Sequence, residues 1–310
     1  MRITMSISMV CLAMATVPAF AADAPSCAPV RMVDLGWTDI ALTNTTAEVI
    51  LTALGYSPTQ TLLGLDVGFT SLKENDMDVF QGNWRPVQDE QYKAYFEDGS
   101  VEVLGVNLEG AKFTLAVPKY VADAGVKSYA DLAAYTDKFS AKIYGIEPGS
   151  NQPLLDMIAA DRHGLGKWEV VESSEAGMLT QVERAVDRQE WVAFLGWEPH
   201  PMNLNFDLVY LDGGDLEYGP NFGGATVRTI SRKGYAADCP NAAKFFSNLV
   251  FDLDYENIGM QKIMGDGMTA QDAAKAMIAA DPAKLDKWLD GVTTLSGEPG
   301  LPAVKTALGL

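Results

Sequence analysis

Apolar residues occur along the chain in two patterns, as short continuous runs and as segments where they recur every three or four positions. The runs predict buried β-strands and the periodic segments predict α-helices. Up to residue 117, the predicted strands are Val30–Leu35, Gln60–Leu65, Met77–Phe80 and Lys112–Val117. Helices are predicted from the capping box Thr45-Thr46-Ala47-Glu48 to Gly55, at Ser71–Asn75 and at Gln88–Glu97.

The same alternation restarts after Val117 and gives way to a helical segment. The predicted helices are Ser128–Tyr135, Leu154–Arg162 and Ala176–Val186, and the predicted strands are Lys142–Ile146, Glu169–Glu172, Trp191–Leu195, Leu208–Leu211 and Thr226–Ser231. From Asn241 onward the pattern is almost wholly helical. Strands that alternate with helices indicate a mainly parallel sheet.

This order of elements predicts an α/β fold of two lobes, each a mainly parallel sheet flanked by helices, with a ligand in the cleft between them. The chain is expected to cross between lobes near Phe113–Val117 and again near Asp212–Gly214. Residues 23–113 together with 213–310 would form lobe one, and residues 114–212 would form lobe two. The C-terminal helices would then fold back onto lobe one.

The N-terminus has the features of a secretory signal peptide. Arg2 precedes an uncharged apolar run, Ile7–Phe20, and the run ends at Ala19-Phe20-Ala21-Ala22. Such a sequence predicts a signal in residues 1–22 that is cleaved near Ala21 or Ala22. No later segment approaches about 20 uninterrupted apolar residues, so we expect an exported, periplasmic protein with no direct membrane insertion.

Removal of this signal takes Cys11 away and leaves Cys27 and Cys239. Two cysteines in an exported chain suggest one disulfide. In the loop-entropy model, closing this loop would stabilise the folded protein by roughly 3–5 kcal/mol. The bond would place both ends of the chain in lobe one. Two free thiols are the alternative.

The charge balance excludes some classes of function. Lys and Arg number 23 against 41 Asp and Glu, a formal net charge of −18. Nucleic-acid binding needs a positive surface, so such a partner is not expected. With only His163 and His200 in the chain, and without a phosphate loop or a nucleophile elbow, no metal, cofactor or catalytic residue is predicted.

An enzyme remains the competing class, because Glu147, Glu172, Glu175 and Glu198 follow predicted strands and could supply a pair of carboxylates. Acidic residues at strand ends more often cap the next helix. His200 is predicted to be structural, hydrogen-bonded in a turn. Arg85 is predicted to face solvent or to pair with an acid.

Three tryptophans share a local context. Trp37, Trp84 and Trp197 each come after a predicted strand and a glycine. Ligands of open α/β sheets bind outside the carboxyl ends of the strands, so three indoles could point into the cleft. The alternative is that each indole only covers the core beneath a loop.

Converging aromatic faces suit a quaternary ammonium, which has no N–H to donate and spreads its charge over methyl groups. A desolvated cation–π contact is worth about 2 kcal/mol, and indole is the best partner. Asp39, two residues after Trp37, could add Coulombic attraction and accept a hydrogen bond from a ligand hydroxyl. It would repel a ligand that carries a carboxylate. The alternative role for Asp39 is a charge or cap at a helix start.

Several motifs resemble those of the periplasmic choline-binding proteins of choline ABC importers, within the glycine betaine/proline betaine type of quaternary-amine-binding proteins. These motifs are Gly36-Trp37-Thr38-Asp39, Asp78-Val79-Phe80-x-Gly82-Asn83-Trp84, Tyr144-Gly145-Ile146-Glu147-Pro148-Gly149, Val171-Glu172-Ser173-Ser174-Glu175 and the run Phe194-Leu195-Gly196-Trp197-Glu198-Pro199-His200-Pro201-Met202-Asn203.

The resemblance implies a two-lobed fold that closes on choline in a box of four aromatic residues and delivers it to an inner-membrane ABC permease. It also implies the disulfide between Cys27 and Cys239. Acetylcholine, glycine betaine, proline betaine and trimethylamine N-oxide are rival ligands. The resemblance implies these ligand-binding residues: Trp37, Asp39, Trp84, Phe113 where the family has Tyr, Asn151 and Trp197.

Overall fold

The computed structural model describes residues 22–310, so nearly all of the predicted signal peptide lies outside the described residues. Nine strands within that range join in one sheet. The strands are β1 (Pro29–Asp34), β2 (Ser57–Leu62), β3 (Val79–Arg85), β4 (Val101–Pro118), β5 (Lys142–Tyr144), β6 (Glu169–Val171), β7 (Phe194–Glu198), β8 (Leu208–Tyr210) and β9 (Gly224–Arg232).

Helices flank the sheet and make up the last quarter of the chain. They are α1 (Thr38–Ala53), α2 (Leu65–Lys73), α3 (Asp89–Glu97), α4 (Lys119–Asp123), α5 (Tyr129–Leu132), α6 (Gln152–Ala159), α7 (Glu175–Asp187), α8 (Met202–Asn205), α9 (Asp215–Tyr218), α10 (Pro220–Gly223), α11 (Tyr235–Asp238), α12 (Pro240–Asn248), α13 (Leu253–Met264), α14 (Ala270–Ala280), α15 (Lys284–Trp288) and α16 (Gly300–Leu308). Short 3-10 segments occur at Pro25–Cys27, Ala133–Tyr135 and Arg162–Gly164.

The sheet contains two parallel groups joined by long antiparallel strands. The strand order is β2-β1-β3-β9-β4-β7-β5-β6, with β8 paired to β4. Strands β1, β2 and β3 pair in parallel, and so do β5 with β6 and with β7. Strands β4 and β9 pair antiparallel to each other and to their outer neighbours β7 and β3. The predicted α/β fold class is confirmed, and these two strands connect its halves.

The first helix begins earlier than predicted. Helix α1 starts at Thr38, so the expected capping box lies inside the helix and not at its N-terminus. The Thr46 hydroxyl is satisfied there, because it donates to the carbonyl of Leu42 and lies 3.0 Å from the Tyr255 hydroxyl. A threonine whose hydroxyl bonds the carbonyl four residues back is compatible with a helix interior, which is why the motif misled.

Two strands continue past their predicted ends. Strand β3 runs to Arg85 and β7 runs to Glu198, so Trp84 and Trp197 lie inside strands and not after them. Gly82 lies inside β3 and does not end it. A Cβ at this position would lie 2.6 Å from the Ile40 side chain, which explains why the residue is a glycine. This glycine marks a close approach between strand and helix, a role that a strand-interior glycine often has.

Both ends of the described chain pack in the same half of the molecule. Cys27 and Cys239 are joined in the predicted disulfide. The Asp23 carboxylate accepts the backbone N–H groups of Asn241 and Ala242 in the first turn of α12. Helices α13, α14 and α16 contact α1, so the C-terminal helices fold back onto the first sheet group as predicted.

Candidate functional site

The predicted aromatic residues line one cavity between the two halves of the sheet. Its empty volume, counted together with the space that opens to solvent, is about 480 Å³. All three tryptophans of the predicted box and Phe113 contribute to the wall. The lining residues are Trp37, Asp39, Leu65, Trp84, Val87, Gln88, Gln91, Phe113, Ile146, Gly149, Ser150, Pro153 and Trp197.

Strands β3, β4 and β7 position three of the four rings. Trp84 lies on β3, Phe113 on β4 and Trp197 on β7, and Phe113 is the direct cross-strand partner of Trp197. The Phe113 ring centroid lies 6.1 Å from that of Trp84 and 6.1 Å from that of Trp197. Trp37 comes from a different element, the N-cap position of α1. The rings therefore enclose the cavity from several sides.

A glycine on the neighbouring turn allows Phe113 to occupy its position. Gly223, at the end of α10, has a φ of +68°, and a Cβ there would lie 1.9 Å from the Phe113 carbonyl oxygen. No side chain fits that gap. Behind the ring, Tyr218 packs against Phe113 at a centroid distance of 5.6 Å. Helices α9 and α10 thus support the part of the cavity wall that Phe113 forms.

Asp39 lies in the first turn of α1 and also lines the cavity, so its position is compatible with both of the roles considered from the sequence. Its side chain is 6% exposed, and its carboxylate accepts the backbone N–H of Ile40. Burial, together with the negative charge of Glu175, raises the pKa of Asp39 to about 7. The helix N-terminus favours an anion here, whereas burial disfavours it.

Asn151 is placed behind the cavity wall and not among the lining residues. Its side chain is fully buried at the N-cap of α6. The amide donates to the carbonyls of Ile146 and Glu147 and to the Glu172 carboxylate, and its oxygen accepts the Ile146 N–H. In this structure Asn151 holds the loop from Glu147 to Ser150, which forms part of the wall.

Two carboxylates that follow strands of the second half of the sheet, Glu147 and Glu175, accept hydrogen bonds from the segment that carries Trp37. The Trp37 indole N–H donates to Glu147 at 2.6 Å. Glu175, the first residue of α7, accepts the backbone N–H and the hydroxyl of Thr38. The sequence placed these glutamates at strand ends and in family motifs, but no role at the cleft was predicted for them. They follow strands β5 and β6, and that position is the one signal that could have placed them at the cleft.

Three polar lining residues were missed: Gln88, Gln91 and Ser150. Gln88 and Gln91 lie one helical turn apart, shortly after Trp84. The Gln88 amide donates to the Gly82 carbonyl and accepts from Asn83. The Gln91 amide donates to the Gly149 carbonyl at 3.1 Å across the cavity. The i, i+3 spacing of the two glutamines behind a cage tryptophan was the available signal.

The two predictions about basic residues near the cage are confirmed. His200 is fully buried, accepts the Met202 N–H at Nδ1, and lies with Nε2 3.3 Å from Glu175. Arg85 pairs with Asp89 through two nitrogens. No cationic side chain is among the lining residues of the cavity.

Neither a metal centre nor a membrane span is found among residues 22–310. No group of three or more His, Cys, Asp or Glu side chains within that range could hold a metal ion. None of the helices described there combines the length and hydropathy that crossing a bilayer requires.

Comparison with known proteins gives a consistent set of relatives. A family described as the substrate binding domain of ABC-type glycine betaine transport system matches residues 28–280. By sequence, the glycine betaine/proline betaine-binding periplasmic protein of Escherichia coli (strain K12) is 24% identical over 312 residues, 87% of this chain and 92% of that protein.

Solved structures of this type superimpose closely. An ABC-transporter choline binding protein in complex with choline is 49% identical, with a TM-score of 0.91, covering 93% of this chain and 100% of that one. Lactococcal OpuAC in its closed-liganded conformation with glycine betaine is 27% identical, with a TM-score of 0.75, covering 84% of this chain and 98% of that one. These likenesses confirm the predicted two-lobed fold of type II periplasmic binding proteins.

Proposed function

This chain belongs to the family of substrate-binding domains of ABC-type glycine betaine transport systems, and on that premise we propose that it captures choline in its aromatic cage. The observation that carries the proposal is the meeting of three indoles, one phenyl ring and one carboxylate in a single cavity. The solved relative with choline bound, 49% identical to this chain, supports the same ligand.

The rings Trp37, Trp84, Phe113 and Trp197 suit the trimethylammonium group. Each ring face carries negative quadrupole potential and offers apolar contact to the methyl groups. At about 2 kcal/mol for each desolvated contact, four contacts supply about 8 kcal/mol, which corresponds to a dissociation constant of roughly 1 μM. Burial of the methyl groups would offset the entropic cost of closure. We propose that these four residues are the cation-binding surface.

Asp39 is proposed to select a cationic alcohol. Its buried carboxylate would attract the quaternary nitrogen and accept a hydrogen bond from the hydroxyl of choline. The same carboxylate would repel the carboxylate of glycine betaine, because two like charges in a poorly solvated cavity cost more than one. Asn151 is proposed to act on the ligand through the loop it holds.

The lobes are proposed to be residues 23–113 with 213–310, and residues 114–212. Closure would occur about the two crossings, one inside β4 near Phe113–Val117 and the other near Asp212–Gly214. The chain is proposed to be periplasmic after cleavage near Ala21 or Ala22. The closed, loaded form would be recognised by the inner-membrane ABC permease that such domains serve.

Titration calorimetry of the mature protein with choline, acetylcholine, glycine betaine, proline betaine and trimethylamine N-oxide tests this proposal. Choline should bind most tightly. Tighter binding of glycine betaine than of choline would overturn the ligand assignment and leave the family unchanged. Turnover of a chromogenic choline ester would instead favour the remote alternative, a choline-ester hydrolase.

A further inference from the structure

The cavity is closed by contacts between the two proposed lobes, and these contacts join protein groups to one another. Trp37 and Thr38 belong to lobe one, and Glu147 and Glu175 belong to lobe two. The Trp37 indole N–H donates to Glu147 at 2.6 Å, and the Thr38 backbone N–H donates to Glu175 at 3.1 Å. These bonds hold Trp37 and Thr38, next to Asp39, and both Trp37 and Asp39 line the cavity.

Glu175 caps a helix of the opposite lobe. Helix α1 is 16 residues long and has no side-chain cap of its own at Trp37. The first backbone N–H groups of a helix have no intrahelical partner and attract a negative charge. Because Glu175 reaches the Thr38 N–H from α7, the helix gains its cap only when the two lobes are together.

His200 keeps Glu175 in place without neutralising it. The Nδ1 atom of His200 accepts the Met202 N–H, so the ring is in its neutral form with the proton on Nε2. That nitrogen lies 3.3 Å from Glu175. The Glu175 carboxylate is 4% exposed, and its donors, Thr38 and His200, are neutral groups.

Closure therefore gathers carboxylates whose partners are uncharged. Glu147 receives hydrogen bonds from Trp37 and Ser150, and Asp39 receives one from Ile40. The negative charge of Glu175 acts on both of them, raising the pKa of each in addition to the effect of burial. Behind them, burial and the charge of Asp39 raise the pKa of Glu256 well above its ordinary value.

We propose that Glu147 and Glu175 form a latch that closes the cavity around a cation and resists closing around a neutral ligand of the same shape. The methylated nitrogen would act as the counter-ion that allows the carboxylates of Asp39, Glu147 and Glu175 to come together. This inference rests on the proposed function. It makes Glu147 and Glu175 positioning residues that determine specificity through closure, and their own bonds are to protein groups.

The test uses 3,3-dimethylbutan-1-ol, the uncharged carbon isostere of choline, with the wild-type protein and the double variant E147Q/E175Q. Small-angle scattering reports closure as a decrease in radius of gyration. Choline should close the wild-type protein, and the isostere should leave it at its ligand-free radius. The double variant should bind the isostere and close around it, because the glutamines keep acceptors for Trp37 and Thr38 but carry no charge.

Calorimetry supplies the second readout. In E147Q/E175Q the ratio of the dissociation constants for the isostere and choline should fall by at least about tenfold, the size expected when a nearby charge–charge interaction is removed. In Thr38→Val, which loses a hydrogen bond but no charge, both ligands should weaken and the ratio should stay constant. Glu183→Gln removes a charge from the exposed face of α7 and should change neither quantity.

Two results would overturn the inference. One is a wild-type protein that closes around the isostere as it does around choline. The other is a double variant that keeps the wild-type ratio, or fails to bind the isostere, while its thermal unfolding matches that of Glu183→Gln. Absence of choline binding by the wild-type protein would be a separate result, because it contradicts the proposed function itself.

Discussion

Asp39 lies at the start of helix α1 and is proposed to select the ligand, and its interactions with the helix and with the ligand both depend on whether its carboxyl group is ionised. It occupies the first turn of α1 and is almost fully removed from water. Burial raises its pKa to about 7, so near neutral pH the Asp39 carboxyl group is protonated in some molecules and ionised in others. A cationic ligand favours the ionised form, and its binding should therefore release protons.

Choline affinity should accordingly depend on pH. Below the raised pKa of Asp39, about 7, the carboxyl group is neutral and offers no Coulombic attraction, so the association constant should rise as pH increases from 6 to 8 and then level off. The slope should approach, at most, about tenfold per pH unit on the acid side. Calorimetry at several pH values checks this, with Asp39→Asn as the control.

A pH profile of Asp39→Asn that keeps the wild-type slope would assign the dependence to another group. Glu147 is the next candidate, because burial also raises its pKa.

Sequence reasoning identified the cage at the residue scale because its members combine unusual residue types with specific motifs. Trp37, Trp84, Phe113 and Trp197 line one cavity as expected. It failed where a role depends on a partner far away in the chain. Glu147 contacts a residue 110 positions earlier, and Glu175 contacts one 137 positions earlier. No local pattern encodes such pairs.

At the scale of elements, glycines act as spacers between packed segments more than as ends of strands. The strand β3 passes through Gly82 and the strand β7 passes through Gly196, where a Cβ would lie 3.0 Å from Ala116. The apolar pattern located most strands and the longer helices, but it missed the short helices α4 and α8 to α11 and placed several boundaries a few residues away from their observed positions. Those boundaries depend on what lies across the packing contact, which a single segment does not specify.

Gly223 is the spacer that matters most for the cage. Gly223→Ala would place a methyl group 1.9 Å from the Phe113 carbonyl oxygen. We expect a loss of about 1–3 kcal/mol of unfolding free energy and at least about tenfold weaker choline binding, because β4 must shift. Thermal unfolding and calorimetry measure the two effects.

Gly99→Ala is the matched control for that substitution. Gly99 has nearly the same backbone angle, φ +67°, but no atom lies within 4 Å of the position that an added methyl group would take. This variant should show only the cost of backbone strain and normal choline binding. Equal choline affinities in the two variants would mean that Gly223 does not position the cage.

At the scale of the whole molecule, the two halves of the sheet are joined by β4 and β9. The α/β class and the return of the C-terminal helices could be predicted, because alternation and the cysteine pair are visible in the sequence. The antiparallel linking strands could not, because strand pairing over a hundred residues leaves no periodic signal. This joined sheet brings rings from both halves to one cavity.

We propose that the aromatic cage selects a cation and that Asp39 selects against a carboxylate. Calorimetry of the wild-type protein and Asp39→Asn with choline and with glycine betaine tests it most directly. The asparagine should weaken choline binding by about tenfold or more and leave glycine betaine binding unchanged or stronger. Equal weakening of both ligands, or unchanged choline binding, would contradict the account.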